Sequence, residues 1–178
     1  RERVHKGHGD IIVCLDESAS TEGENAAWGK ALALAVQDIC AHEGRKFALI
    51  HFAGEDALRT DRFLPGQYTA NDLLSAAEHF FDGGTDFETP LREALRLINE
   101  EAFENADILF ITDGQCSISD ELAEQLQVAI LDARCAVVGL LLDADSPGMA
   151  FSLEKFCEKV VRTSEMDKDG TEQILLKC

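Results

Sequence analysis

The runs Asp10 to Leu15, Lys46 to Phe52, Asp107 to Thr112 and Cys135 to Leu142 are apolar almost without interruption. Each is strand-length, rich in Ile, Val, Leu and Phe, and lacks the polar alternation of a half-solvated strand, so each reads as a strand covered on both faces. Helical periodicities fill the gaps between them: Trp28, Ala31, Leu32, Ala35 and Ile39; then Leu73, Leu74, Ala77 and Phe81; Leu91, Ala94, Leu95 and Ile98; and Leu122, Leu126, Ala129 and Ile130. Alternating strands and helices predict an α/β fold, an open, mostly parallel, doubly wound sheet with helices on both faces. The more polar stretch Ala57 to Leu64 alternates apolar and charged residues and ends at Pro65, which suits one antiparallel strand at the sheet edge. Glu158 to Thr163 supplies the last strand, and Thr171 to Lys177 a closing helix or strand. Thr89-Pro90 and Ser119 before Asp120-Glu121 mark helix starts, a capping hydroxyl ahead of residues that suit a first turn.

At 178 residues and 46% apolar content the chain is sized for a single domain with a real core. It begins at Arg1 rather than Met, so we expect a domain excised from a longer protein. No run approaches the roughly 18 apolar residues of a membrane-spanning helix, and Arg1 to Asp10 lacks the apolar centre of a signal peptide. No membrane insertion is expected. The 6 cysteines are dispersed among apolar residues with no C-x-x-C pair, the pattern of small buried thiols in a reducing, cytoplasmic setting. A formal charge of -18 repels a phosphate backbone, excludes nucleic acid as the main partner and favours cations.

The first strand runs into "DESASTEGENAAWGKA", residues 16 to 31, a polar, glycine-bearing loop leading to a helix. A phosphate loop needs G-x-x-x-x-G-K-[ST]. Here five residues separate Gly23 from Gly29, and Ala31 stands where the hydroxyl is needed. An aspartyl phosphotransferase built on Asp16 would want an acid two residues on, and that position is Ser18. What remains is D-x-S-x-S, in which Asp16, Ser18 and Ser20 aim hard oxygens from a strand end into one space, a pattern equally open to plain helix capping. "GGTD" puts Thr85 after two glycines, and "ITDG" puts Asp113 at the end of another strand. In an open α/β sheet the parallel strands deliver their carboxyl ends to one edge, so all these oxygens converge.

In these motifs, and in the order of its strands and helices, the chain resembles the von Willebrand factor type A (VWA) domain with its metal-ion-dependent adhesion site. "IIVCLDESAST" with "GGTDFETPL" looks most like the CoxE-like and ViaA-like branch associated with MoxR-type AAA+ ATPases. The resemblance implies a metal-binding, protein-binding module rather than an enzyme. Ser18, Ser20 and Thr85 would be hydroxyl ligands, and Asp16 and Asp113 would bind directly or through water. The ion would be magnesium or manganese, with an open position for a partner protein's acidic side chain. It also implies a MoxR-type AAA+ ATPase as a further partner. Ala19 stands where glycine is common, Thr21 where methionine is frequent, and Glu17 adds a negative charge beside the site. Ala19 would restrict the loop if that position required a positive φ.

The acids Glu17, Glu22, Glu24, Glu55, Asp56, Asp143 and Asp145 all fall on loops at the same sheet edge. As a solvent-facing rim they would select a partner whose carboxylate is flanked by Lys or Arg. The rival reading is a magnesium-dependent hydrolase or phosphatase-like enzyme, which would use the same ion to activate water with one of the 5 histidines as base. His51 in "ALIHFAG" is the obvious candidate, but a histidine in a buried strand more often serves the core or supports a neighbouring side chain. No Ser-His-Asp elbow or catalytic cysteine setting is visible.

Overall fold

A computed structural model describes residues 9–114, 116–132, 135–143 and 151–165. Strands β1 (Ile11–Asp16), β2 (Phe47–Phe52), β3 (Leu58–Phe63), β4 (Ala106–Thr112), β5 (Cys135–Leu141) and β6 (Lys159–Arg162) form one 6-stranded sheet in the order β3-β2-β1-β4-β5-β6. All neighbours are parallel except β3, which runs antiparallel to β2 at the edge. The sequence placed every one of these strands; the expectation for Thr171 to Lys177 lies outside the described residues.

The helices are α1 (Glu24–Glu43), α2 (Ala70–Glu78), α3 (Glu88–Glu100), α4 (Asp120–Leu131) and the short α5 (Phe151–Glu154). Alternate residues of β1 explain its unbroken apolar run. Ile12 and Cys14 enter a core with Leu91, Phe110, Leu122 and Phe156, whereas Ile11, Val13 and Leu15 enter a second core with Leu32, Val36 and Leu109. Both faces of the pleat are thus dry, as the strand's composition requires. Gly29 lets α1 lie close to the sheet, since a Cβ there would stand 2.9 Å from Leu15 Cδ1. Gly29 and Lys30 therefore belong to a packed helix and not to a phosphate loop.

Ser119 caps α4 by accepting from the Leu122 amide at 3.2 Å. The start of α3 differs from the Thr89-Pro90 expectation: the helix begins at Glu88, and Asp86 accepts from the Glu88 amide at 3.1 Å and the Thr89 amide at 3.4 Å. An aspartate two residues upstream does the capping, and proline is tolerated within the first turn because amides there lack intrahelical partners. Cys14, Cys40 and Cys135 are buried, and burial pushes the Cys14 thiol well above its ordinary range.

The chain leaves β1 toward β2 on one side, and β4 joins β1 on the other. The gap where strand order reverses, at the carboxyl ends of β1 and β4, is where open α/β sheets bind ligands.

Candidate metal centre

Asp16, the last residue of β1, is only 1% exposed. Its Oδ1 accepts from the Ser18 amide at 2.8 Å, and its Oδ2 from the Thr112 hydroxyl at 2.6 Å. Burial raises its carboxyl above the ordinary value, and the Asp113 charge adds to this against the hydrogen bonds from Ser18 and Thr112. Ser18 Oγ lies 3.2 Å from Ser20 Oγ, and Ser20 donates to Asp113 Oδ1 at 2.9 Å. Asp16, Ser18, Ser20 and Asp113 thus form one continuous set of oxygens across the β1–β4 switch point.

The turn that presents them is tight. Ala19–Thr21 form a single 3-10 turn, and the buried Thr21 hydroxyl donates to Ser18 O at 2.8 Å. Ala19 is not among the residues of positive φ, so alanine carries no backbone strain there. Thr85 arrives on the loop after α2, where Gly83 takes a φ of 101°. It packs beside the turn that follows Asp113: a Cβ on Gly114 would stand 4.0 Å from Thr85 Oγ1 and 3.8 Å from Thr112 Oγ1. The Thr85 loop joins the D-x-S-x-S loop directly, since the Ala19 amide donates to Gly83 O at 2.9 Å.

The rim expectation needs correction at two positions. Glu17 is 1% and Asp143 3% exposed, because a carboxylate leaves water where it finds enough donors. Asp143 accepts from Arg162 at 3.1 Å and from the Ser164 amide at 2.9 Å. Glu22, Glu24, Glu55 and Asp56 remain exposed, and Asp145 lies outside the described residues. An open groove of about 590 Å³ runs beside Thr85, bounded by Gly54, Glu55, Asp86 and Arg92.

Glu17 points instead into a buried cluster. Its Oε2 lies 2.7 Å from Lys30 Nζ and 2.7 Å from His51 Nδ1, and its Oε1 lies 2.7 Å from His79 Nδ1. His51 Nε2 lies 2.7 Å from Asp61 Oδ2, which also accepts from Arg59 Nε at 3.0 Å. Burial alone would raise Glu17, yet hydrogen bonds and charge from His51 and Lys30 outweigh it and hold the carboxyl below its usual value. Burial pulls Lys30 and His79 below theirs, against the opposing pull of Glu17. The one available sequence signal was alternation: beyond a strand end, Asp16 and Ser18 face one way and the residue between them the other.

The sequence profile of the von Willebrand factor type A domain matches residues 11–115. The chain belongs to the VWA family. It is 39% identical over 119 residues to the uncharacterized protein MJ0077 of Methanocaldococcus jannaschii, covering 67% of this chain and 29% of that protein. It is 29% identical over 109 residues to the regulatory protein ViaA of Proteus mirabilis, covering 59% of this chain and 21% of ViaA. The chain therefore spans less than a third of either relative. Among solved structures, a VWA protein from Catenulispora acidiphila superposes with a TM-score of 0.67 at 15% identity, covering 96% of this chain and 41% of that one. The SpRpn10 VWA domain gives 0.63 at 13% identity, covering 96% and 95%. VWA domains are generally protein-interaction modules that hold a divalent ion.

Proposed function

We propose that this VWA domain binds magnesium or manganese through Asp16, Ser18, Ser20, Thr85 and Asp113, and that the bound ion docks an acidic side chain of a protein partner. The observation that carries this reading is oxygen spacing. Ligands about 2.1 Å from an octahedral ion and at right angles to one another stand about 3 Å apart. The Ser20–Asp113 and Ser18–Ser20 separations, 2.9 and 3.2 Å, match that edge. When bound, the ion supplies a directional, carboxylate-seeking contact.

The chain's own residues do the rest. Thr112 and the Ser18 amide hold the Asp16 carboxylate by both oxygens, fixing its orientation. Ser20 is exposed and Asp113 half-buried, whereas Ser18 is buried, so a partner can approach at Ser20. Exposed Glu22, Glu24, Glu55 and Asp56 repel a bare acidic patch and favour a carboxylate flanked by Lys or Arg. Binding is favoured over hydrolysis because, among the described residues, the histidines that approach this loop, His51 and His79, are both engaged by Glu17.

The similarity to ViaA supports a regulatory role in a longer protein. The ATPase partner is the MoxR-type one that the sequence resemblance implies, in a cytoplasmic setting. Among the described residues no helix is long and apolar enough to cross a membrane.

Calorimetric titration of magnesium and manganese into the metal-stripped domain tests the site. Saturable binding is expected in the wild type and is lost in Asp113→Ala and Thr85→Ala; equal heats in all three proteins would refute it. Charge reversal of Glu55 and Asp56 to Lys is expected to weaken capture of a basic-flanked acidic peptide while leaving ion binding intact. Unchanged capture would remove the rim from the account.

A further inference from the structure

Behind the D-x-S-x-S loop lies a second constellation with the makings of a cation centre. One ligand atom each from Glu17, His51 and His79 fall within 4.8 Å of one another. Two imidazoles and a carboxylate suit a transition ion. Asp61 sits on the far nitrogen of His51 at 2.7 Å, the kind of carboxylate support that usually orients a metal-binding histidine. A cleft of about 390 Å³ between α1 and α2, with Lys30 and His79 in its lining, leads to the cluster from solvent.

The cation position is already taken by the protein itself. The Lys30 ammonium stands 2.7 Å from Glu17 Oε2 and 3.3 Å from His51 Nδ1. It also donates to Ala76 O in the last turn of α2 and to His79 O just past its end, both at 2.8 Å, where carbonyls lack intrahelical partners. Its side chain is 12% exposed. These acceptors at the end of α2, and the stem on α1, anchor the charge where a metal ion would otherwise sit. A divalent ion entering alongside it would meet a buried like charge.

This tethered cation also fixes the neighbouring ion site. Glu17 separates Asp16 from Ser18, its amide donates to Phe52 O at 2.7 Å, and its carbonyl accepts from the Asp82 amide at 2.9 Å. His79 opens the same connection that carries Gly83 and Thr85. The cluster thus holds, from behind, both loops that present oxygens to the ion.

We propose that the Lys30 ammonium acts as a built-in cation at a Glu17–His51–His79 centre, in place of a second metal ion, and that this centre positions the two ligand loops of the neighbouring site. The proposal rests on the ion site of the preceding subsection for its second half only. Lys30, Glu17 and His79 are positioning residues, since none is assigned to touch the ion.

The test uses the whole metal-stripped chain, titrated with Mn2+ by electron paramagnetic resonance and separately with Co2+ by visible absorbance. Wild type is expected to bind a single Mn2+ and to show no Co2+ absorbance that depends on His79. Lys30→Met and His79→Gln are each expected to weaken Mn2+ by about tenfold or more, the usual effect of losing a supporting partner behind a metal site. Lys30→Met is further expected to gain a second, nitrogen-bound Co2+, which the added His79→Gln change abolishes. A Co2+ band in the wild type that His79→Gln removes would overturn the built-in cation, as would failure of folded Lys30→Met to gain the second Co2+. Unchanged Mn2+ affinity in His79→Gln, the milder variant, would overturn the positioning role. Absence of Mn2+ binding in wild type and Asp113→Ala alike would instead defeat the ion-site reading and with it the positioning half. The cobalt titration of Lys30→Met would still decide what occupies the cluster.

Discussion

Asp16 and Glu17 are consecutive carboxylates, each 1% exposed, yet their surroundings have opposite character. Asp16 meets hydroxyls and an amide, together with the like charge of Asp113, and its carboxyl is raised. Glu17 meets an ammonium and two imidazoles, and its carboxyl is lowered. Equal burial therefore carries no fixed electrostatic consequence; the partners decide the sign. One side of the loop is left short of positive charge, while the other has been supplied with it from within the chain.

The largest effect that would test this contrast is on stability. Glu17→Ala strands Lys30 and two histidines in a buried site, and breaking such a pairing costs about 3–5 kcal/mol. Asp113→Ala removes a half-exposed acid from beside another acid, and its cost is expected to stay within about 1 kcal/mol. Urea unfolding of both variants without metal measures the difference; equal losses would mean that the two sides of the loop are energetically alike.

A smaller and more diagnostic effect lies in pH. Because the folded Glu17 carboxyl is lowered, it binds protons less readily than in the unfolded chain, so it adds stability above its ordinary value of 4.5. That stability is lost as pH falls through the lowered folded value. Asp16 is raised, so its ionisation costs stability as pH climbs from the ordinary 3.8 through the raised folded value. Relative to wild type, Glu17→Gln should lose ground with rising pH and Asp16→Asn should gain it. Metal-free denaturation between about pH 3 and 7 reads both trends, and parallel trends would break the comparison.

The smallest effect concerns Ala19, at the hinge between the two sides. With no positive φ to relieve, Ala19→Gly is expected to destabilise by about 0.5–1 kcal/mol through added chain freedom, with Mn2+ affinity unchanged. Tighter Mn2+ binding in the glycine variant would show that alanine restrains the loop after all.

The sheet was legible because strands buried on both faces must be apolar throughout, as Ile11 to Leu15 are. The candidate oxygens were legible because parallel strands share one carboxyl edge, which brings Asp113 to Ser20 across 93 residues. Glu17 was misjudged as a rim acid because its donors lie 13, 34 and 62 residues away and only folding reveals them. Asp143 was misjudged for the same reason, its arginine coming from β6. The start of α3 slipped by a short step because Asp86 competes with Thr89 as a cap, and sequence alone does not rank two capping side chains three residues apart.

The strand order also sets a sequence of events in time. Glu17, Lys30, His51, Asp61 and His79 all precede residue 80, and β1, β2 and β3 are consecutive along the chain as well as adjacent in the sheet. Asp113 comes only with β4, which must close back onto β1 over a long intervening loop. On a ribosome, the residues that neutralise Glu17 are all synthesised before the strand that completes the oxygen set. The nascent chain thus carries the counter-charge for Glu17 before Asp113 has been made.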